Sequence, residues 1–224
     1  MKIAEIFYSI QGEGALVGVP SVFVRTSGCN LRCVWCDTPY TSWQPEGDEL
    51  SLDEIQARVD QHRQASHVVL TGGEPMIAPQ VVELTEQFRA RGLHITIETA
   101  GTVSKRVACD LMSISPKLAH STPPGQWAAA HERLRIQPDA LKQLMGAYEY
   151  QLKFVVAKSE DIEEIRRLLD ELAADRSKVI LMPEGIDPNV LRERARWLAE
   201  ICKREGFRFS PRLHVDLYGN TRGT

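Results

Sequence analysis

The chain has 224 residues, of which 43% are hydrophobic and 25% are charged, and its formal net charge is -3. This length and composition predict one ordinary globular domain with a buried core, and they argue against intrinsic disorder. The small negative charge leaves no excess of Lys and Arg to neutralise a nucleic-acid backbone or an anionic lipid surface, so we expect small-molecule ligands.

The N-terminal segment, MKIAEIFYSIQGEG, carries Glu5 where a secretory signal needs a continuous apolar stretch, so we predict no signal peptide. No apolar run approaches the roughly 20 residues that cross a bilayer. Three of the five cysteines crowd between residues 29 and 36, which suits a metal site in a reducing compartment better than a disulfide framework. Together these features predict a cytoplasmic protein.

Short β-branched segments alternate with helical patterns along the chain, which is typical of parallel strands joined by crossover helices. The predicted strands cover residues 21–25, 67–71, 94–98, 111–115, 151–156 and 179–182. Apolar residues occur on both faces of these strands, as expected where helices cover a parallel sheet. We therefore predict an α/β fold, an incomplete TIM-type barrel of about six parallel strands with outer helices.

The predicted helices cover residues 51–64, 80–91, 159–174 and 187–206. Ser51 and Glu54 form a capping box at the start of the first helix, and Gly206 is placed to end the last. Residues 117–139 show no strong pattern, so we predict an irregular insertion there within a single domain of residues 1–224.

Three thiols, Cys29, Cys33 and Cys36, follow the first predicted strand with the spacing C-x3-C-x2-C. A structural zinc site is normally closed by four Cys or His ligands, and the nearest histidines, His62 and His67, lie a helix away. A 4Fe-4S cluster on three thiolates leaves one iron open for the amino and carboxylate groups of S-adenosylmethionine. The spacing therefore favours such a cluster.

A second motif, Gly72-Gly73-Glu74-Pro75, follows the second predicted strand. The glycine pair lets backbone approach a ligand, and the acidic side chain can accept a hydrogen bond from an ammonium group. Alone, such a stretch is most often a tight turn. At a strand end that follows the cysteine loop, it strengthens the prediction of an S-adenosylmethionine site.

These two motifs resemble the radical S-adenosylmethionine superfamily. Further segments are similar, in order, to the 7-carboxy-7-deazaguanine synthase family: Ile10-Gln11-Gly12-Glu13-Gly14, Arg25, Cys36-Asp37-Thr38, Thr71 and Ser115-Pro116-Lys117. The resemblance implies a lyase of queuosine and 7-deazapurine biosynthesis. It would convert 6-carboxy-5,6,7,8-tetrahydropterin to 7-carboxy-7-deazaguanine and ammonia by radical ring contraction.

The resemblance also implies roles for individual residues, none of them catalytic in its own right because the radical comes from the cofactor. Substrate binding is expected from Ile10, Gln11, Gly12, Glu13, Arg25 and Thr71. Binding of S-adenosylmethionine is expected from Trp35, Cys36, Asp37, Gly73, Glu74, Glu98, Ser115, Pro116 and Lys117. Thr38 is expected to ligate Mg2+ beside the substrate, although turn hydrogen bonding is its ordinary role.

Two alternatives remain open at this point: a glycyl-radical activase acting on a partner protein, and a zinc-binding scaffold whose site a distant residue such as His94 completes. The family resemblance also implies a homodimer and an electron donor such as flavodoxin. Outside the cluster spacing, Cys109 and Cys202 are expected to be core or surface thiols. No role is assigned to residues 213–224, His120, His131 or His214.

Overall fold

The computed structural model describes residues 1–224, and a single nine-stranded sheet organises them. Its strands are β1 (Lys2–Ile10), β2 (Pro20–Thr26), β3 (Asp48–Glu49), β4 (His67–Gly72), β5 (His94–Thr99), β6 (Leu111–Ile114), β7 (Tyr150–Val156), β8 (Val179–Pro183) and β9 (Arg208–Phe209). They lie in the order β3-β1-β2-β4-β5-β6-β7-β8-β9. The terminal strands β3 and β9 are not paired with each other, so the sheet stays open.

All six predicted strands are confirmed, and they form one parallel run from β2 to β8. The sequence prediction missed β1, which pairs antiparallel with β2 and places Glu5 opposite Arg25. Most of its residues are half-buried, and polar and apolar types mix there without the alternation that reveals a strand. The short edge strands β3 and β9, of two residues each, were also missed.

Eight α-helices accompany the sheet: α1 (Pro39–Ser42), α2 (Leu52–Val59), α3 (Val81–Ala90), α4 (Ala128–Leu134), α5 (Pro138–Ala147), α6 (Asp161–Leu172), α7 (Pro188–Glu205) and α8 (Leu213–Tyr218). The capping box at Ser51 is present, and Gly206 ends α7 with a left-handed φ of 73°. The predicted end of α2 is wrong, because tight turn bonds from Asp60 and His62 close the helix at Val59 rather than Gln64.

The prediction of an irregular insertion over residues 117–139 is only partly correct. Two single 3-10 turns occupy its first half, but α4 and the start of α5 occupy the second. The alanines at the start of α4 favour a helix by propensity, yet its seven residues show no apolar periodicity. Its one buried residue, His131, is hydrogen-bonded to Ser121 at 2.9 Å and accepts from the Arg32 N-H at 3.1 Å.

One hydrophobic cluster of 38 buried residues joins the strands to the helices, which indicates a continuous core. Within it, α3 packs on β5, α5 on β6, α6 on β7, and α7 on β8 and β9. Strand β7 is buried along its whole length, as expected for the middle of a covered sheet. No helix combines the length and apolar character needed to cross a membrane. The single-domain interpretation stays a prediction.

Candidate active site

A cavity of about 270 Å³ opens at the C-terminal ends of the parallel strands. This is the edge at which α/β barrels carry their functional side chains. Sixteen residues singled out from the sequence line it: Ile10, Gln11, Gly12, Glu13, Arg25, Cys29, Cys33, Trp35, Cys36, Asp37, Thr38, Thr71, Gly73, Glu98, Ser115 and Lys117. The structure therefore gathers residues that are up to 107 positions apart in sequence into one site.

The cysteine loop follows β2 and forms one wall of the cavity. Gly28 begins it with a φ of 110°, and its N-H donates to the Thr41 carbonyl at 2.8 Å. Behind the loop, Trp43 Nε1 donates to the Cys33 carbonyl at 3.0 Å. The Cys36 thiol lies 3.3 Å from the Ser42 hydroxyl. These bonds hold the backbone of the loop while its three thiols line the cavity.

The donor set on this wall fits a 4Fe-4S cluster. Each of three thiolates binds a separate iron in such a cluster, so the sulfurs need not converge on one point. No group of three or more Cys, His, Asp or Glu side chains is arranged to hold a single metal ion. Burial raises the pKa of Cys29 to about 11 and that of Cys33 to about 12, so their deprotonation depends on a bound metal.

The alternative zinc site would need a distant histidine. His94 begins β5 and its ring lies against that of His67 in a tilted arrangement, with centroids 4.6 Å apart. Since β4 and β5 are parallel and both begin here, this pair lies at the edge of the sheet opposite the cysteine loop. The structure thus keeps His94 away from Cys29, Cys33 and Cys36.

The Gly-Gly-Glu-Pro segment approaches the cysteine loop through its backbone. A Cβ on Gly73 would lie 2.1 Å from the Gly28 carbonyl oxygen, and one on Gly72 would lie 2.1 Å from that of Thr26. Only glycine permits these contacts, and the φ of 128° at Gly72 also favours it. The pair therefore brings the end of β4 against the start of the loop.

Glu74 is not among the residues that line the cavity, and its expected role in binding S-adenosylmethionine stays a prediction. It is fully buried, and its carboxylate accepts from the Thr99 hydroxyl at 2.8 Å and from the N-H groups of Met76 and Ala100 at 3.0 and 2.8 Å. Burial raises the pKa of Glu74, and these donors oppose the rise. Its role in the structure is to join the ends of β4 and β5. Pro116 also lies outside the cavity lining.

Arg25 lies near the end of β2 and faces the cavity. Its Nε donates to Glu5 Oε1 at 2.6 Å, and the Tyr40 hydroxyl donates to the same oxygen at 2.7 Å. Its guanidinium also lies 5.5 Å from the Phe7 ring centroid. Because Glu5 takes only the Nε edge, the two Nη groups are left for an anionic ligand.

A chain of charges, which we call the Glu13 network, forms a second wall of the cavity and contains Glu98, Lys153, Glu13, Arg212 and Asp37. Lys153 Nζ donates to Glu13 at 2.6 Å and to Glu98 at 3.4 Å. Arg212 Nε donates to Glu13 at 3.0 Å, and its Nη2 donates to Asp37. The Thr71 hydroxyl donates to the free end of Glu98 at 2.8 Å.

The two cations keep this network ionised. Burial favours the neutral form of Glu13, but Lys153 and Arg212 outweigh it and hold the pKa of Glu13 well below its usual range. In the same way Arg212 overcomes burial and lowers the pKa of Asp37. Burial would lower the pKa of Lys153, but Glu13 and Glu98 raise it above its usual value.

Trp35, Ser115, Lys117 and Thr38 line the remaining surface of the cavity. Trp35 Nε1 donates to His120 at 2.9 Å, which fixes the indole beside the cysteine loop. Lys117 Nζ donates to the Ser115 hydroxyl at 2.8 Å. The Thr38 hydroxyl caps no helix and has only long contacts, at 3.4 Å to the Thr41 hydroxyl and 3.8 Å to the Cys36 sulfur, so turn bonding does not occupy it.

Sequence reasoning assigned no role to several charged or titratable cavity residues, among them Glu5, Lys153, Arg212 and His214. No local spacing marks them, because their partners are distant in sequence. Lys153 and Arg212 are 140 and 199 positions from Glu13. The one signal in the sequence is a Lys or Arg that interrupts an apolar stretch, because such a charge is rarely buried without a partner.

Comparison with known proteins agrees with this site. The sequence model of the Radical SAM superfamily matches residues 23–120. The 7-carboxy-7-deazaguanine synthase of Halobacterium salinarum is 46% identical over 100% of this chain and 93% of its own, and that of Rhodopirellula baltica is 44% identical over 100% and 89%. The crystal structure of QueE from Escherichia coli matches with a TM-score of 0.70 and 28% identity, covering 95% of this chain and 94% of that one. The chain therefore belongs to the 7-carboxy-7-deazaguanine synthase family of radical S-adenosylmethionine enzymes.

Proposed function

We propose that this enzyme converts 6-carboxy-5,6,7,8-tetrahydropterin to 7-carboxy-7-deazaguanine and ammonia. The observation that carries the proposal is that one cavity joins the three cysteines to a partly free guanidinium, Arg25, and to an ionised buried carboxylate, Glu13. The full-length relatives are named as synthases of the same product, 7-carboxy-7-deazaguanine. The cavity thus offers separate places for a radical source and for a small polar substrate.

Cys29, Cys33 and Cys36 would hold the cluster, with S-adenosylmethionine beside it. When bound, these groups supply a 5'-deoxyadenosyl radical through reductive cleavage of the carbon-sulfur bond. The chain's part is to bind and orient. Gly73 offers its backbone next to the loop, while Glu98, Ser115 and Lys117 offer polar side chains at the ends of β5 and β6. Trp35, Cys36 and Asp37 contribute from the loop itself, and Pro116 fixes the backbone between Ser115 and Lys117.

The substrate would be held by its carboxylate and by the amide edge of its ring. The two Nη groups of Arg25 match a carboxylate in a bidentate geometry that a lysine cannot reproduce. Glu13 is acceptor-only when ionised, so it selects N-H donors of the ring. Gln11 and the backbone of Ile10 and Gly12 lie beside Glu13 in the cavity, and Thr71 lies beneath Glu98.

Thr38 is the proposed protein ligand of a magnesium ion. Magnesium prefers hard oxygen ligands and keeps several waters, so one hydroxyl suffices where the substrate carboxylate supplies further oxygens. The hydroxyl of Thr38 lies in the same cavity as Arg25, the proposed carboxylate partner. We further propose a cytoplasmic homodimer that receives electrons from a donor such as flavodoxin.

The test is anaerobic incubation of the cluster-reconstituted protein with 6-carboxytetrahydropterin, S-adenosylmethionine, magnesium and a chemical reductant. We expect 7-carboxy-7-deazaguanine and ammonia to accumulate over many turnovers, with S-adenosylmethionine regenerated rather than consumed. The matched controls are Cys33→Ala, which should form no product, and Cys109→Ala, which should behave like the parent. Iron and sulfide binding with cleavage of S-adenosylmethionine but no pterin product would contradict the proposal.

A further inference from the structure

Residues 11–16, which we call the crossing segment, run from the end of β1 to the opposite side of the open sheet. The Ala15 N-H donates to the Gln151 side chain on β7 at 2.8 Å, and the Gly14 N-H donates to the Ser210 hydroxyl beyond β9 at 2.7 Å. The Leu213 N-H donates to the Gly12 carbonyl at 2.9 Å. The crossing segment therefore spans the mouth of the incomplete barrel.

Glu13 lies in the middle of this segment and is held from two sides. Lys153 reaches one carboxylate oxygen from β7 and Arg212 reaches the other from the turn before α8. Both cations are buried, with 4% and 6% of their surface exposed. An ionised carboxylate has about four acceptor positions, so these two bonds leave about two for a ligand.

Fold stability alone does not account for this arrangement. Two charges removed from water lose hydration that their attraction only partly returns, and an apolar pair of similar size is often as stable. The ammonium of Lys153 is moreover shared between Glu13 and Glu98, at 2.6 and 3.4 Å. One side chain thus contacts the proposed substrate-binding and cofactor-binding groups at once.

We propose that Lys153 and Arg212 are positioning residues that hold Glu13 ionised and fix the crossing segment across the barrel mouth. This inference rests on the proposed function, in which Glu13 accepts hydrogen bonds from the pterin ring. Neither cation is required to touch the substrate. Their effect on substrate binding passes through the Glu13 carboxylate.

The first test is a double-mutant cycle on the cluster-reconstituted protein, with the affinity for 6-carboxytetrahydropterin as the measured quantity. Lys153→Met should weaken binding about tenfold or more in the parent, but less than about twofold in a Glu13→Gln background. Lys153→Arg should restore most of the affinity. The matched control is Lys178→Met, which removes an exposed Lys-Glu pair outside the cavity and should leave binding unchanged. Equal losses in both backgrounds would overturn the proposal.

The second test is the pH dependence of the same binding. Lys153, Arg212, His214 and Asp37 are the charged groups that act on Glu13. Without Lys153, burial is opposed mainly by Arg212, so Glu13 protonates more readily and binding needs a higher pH. Burial lowers the pKa of His214 from 6.5, so His214 stays neutral above that pH. Because the pKa of Glu13 in the parent lies well below its usual value of 4.5, the affinity of Lys153→Met relative to the parent should fall as the pH is lowered from 7 towards 5, whereas a merely structural defect predicts a constant ratio.

A third measurement separates this proposal from the proposed function, because it needs no substrate. Amide hydrogen exchange at Gly14 and Ala15 reports whether the crossing segment stays fixed. Exchange should be about tenfold faster in Lys153→Met than in the parent or in Lys178→Met, and unchanged exchange would overturn the positioning role. Should Lys153→Met not fold, Lys153→Arg and the double variant carry the tests. A parent that fails to bind the pterin would contradict the proposed function alone.

Discussion

Two walls of the cavity, the cysteine loop and the Glu13 network, differ in how far apart their residues lie in the sequence. The cysteine wall comes from one contiguous stretch, residues 29–36, whose shape is fixed by neighbours such as Thr41 and Trp43. The Glu13 network draws its members from the segment after β1, the residue that follows the last cysteine, two different strands and the turn before α8. One wall is local in sequence, whereas the other exists only once the chain has folded.

The difference follows from what each wall binds. A cluster needs a fixed number of thiolates, and a short loop can supply them at a spacing that stays visible in the sequence. An organic substrate is recognised by charge and hydrogen bonding, and any strand end that reaches the cavity can supply those groups. We therefore expect substitutions of the three cysteines to abolish activity, and substitutions in the Glu13 network to lower it by degrees.

The largest effect is expected from the cysteine wall. Changing Cys29, Cys33 or Cys36 to Ala should remove the cluster and all formation of 5'-deoxyadenosine, because a methyl group cannot replace a thiolate ligand. Cys109→Ala and Cys202→Ala, which alter thiols outside the cavity, should keep both. Iron content and the formation of 5'-deoxyadenosine after anaerobic reconstitution are the measurements. A Cys33→Ala protein that kept four irons and cleaved S-adenosylmethionine would sink the cluster assignment.

A smaller but still large effect is expected at Arg25, on the substrate side. Arg25→Lys keeps the charge but loses the bidentate geometry, which costs about 2 to 5 kcal/mol of substrate binding at a desolvated site. The apparent substrate constant should rise by at least about thirtyfold while cleavage of S-adenosylmethionine continues. Arg89→Lys, at an exposed ion pair with Glu86, is the control. Unchanged substrate affinity in Arg25→Lys would retire this role.

The Glu13 network should also make stability depend on pH. The pKa of Glu13 is depressed in the folded state, so its contribution is present above its unfolded value of about 4.5 and is lost as the pH falls further. Glu13→Gln should lower the unfolding temperature at pH 7, because it removes the carboxylate that Lys153 and Arg212 share. The difference in unfolding temperature between parent and variant should become smaller between pH 5 and 3 in thermal scans. A difference that stays constant over that range argues against the ion pairs.

The fold could be predicted where the spacing of apolar residues matched the period of a helix or the apolar run of a buried strand. The six buried parallel strands and the capped helices α2 and α7 carry strong local signals, and the structure contains them. Strand β1 and helix α4 carry weak local signals, because tertiary contacts hold them in place. Strand β1 is held by its pairing with β2, and α4 is held by the hydrogen bonds of its buried His131.

The candidate site was predictable to the extent that motifs are contiguous. Reading the cysteine triplet and the glycine pair required no knowledge of the fold. Lys153 lies in a buried strand that reads simply as sheet, and Arg212 lies in the C-terminal stretch that carries no pattern. Their contacts with Glu13 form only in the folded chain, where β7 and the C-terminal stretch meet the segment after β1. Glu74 shows the opposite case, because its motif is plain in the sequence and suggested a contact with a ligand. In the structure its carboxylate already accepts hydrogen bonds from the protein.

The smallest effect is expected at Thr38, where the two walls meet. Thr38 follows the last cysteine and precedes α1, and its hydroxyl has only long contacts, at 3.4 Å to Thr41 and 3.8 Å to the Cys36 sulfur. A side-chain oxygen with weak protein partners is available to a hard cation such as magnesium. Thr38→Ser keeps that oxygen, and Thr38→Val keeps the shape without it.

Turnover measured against added magnesium in anaerobic assays distinguishes the two variants. We expect Thr38→Ser to retain stimulation by magnesium and Thr38→Val to lose it, with cluster content and binding of S-adenosylmethionine intact in both. The expected loss is modest because magnesium keeps most of its ligands as water and substrate oxygens. If Thr38→Val responds to magnesium as the parent does, the ion binds elsewhere, and Thr38 then belongs with the local bonds that shape the cysteine wall.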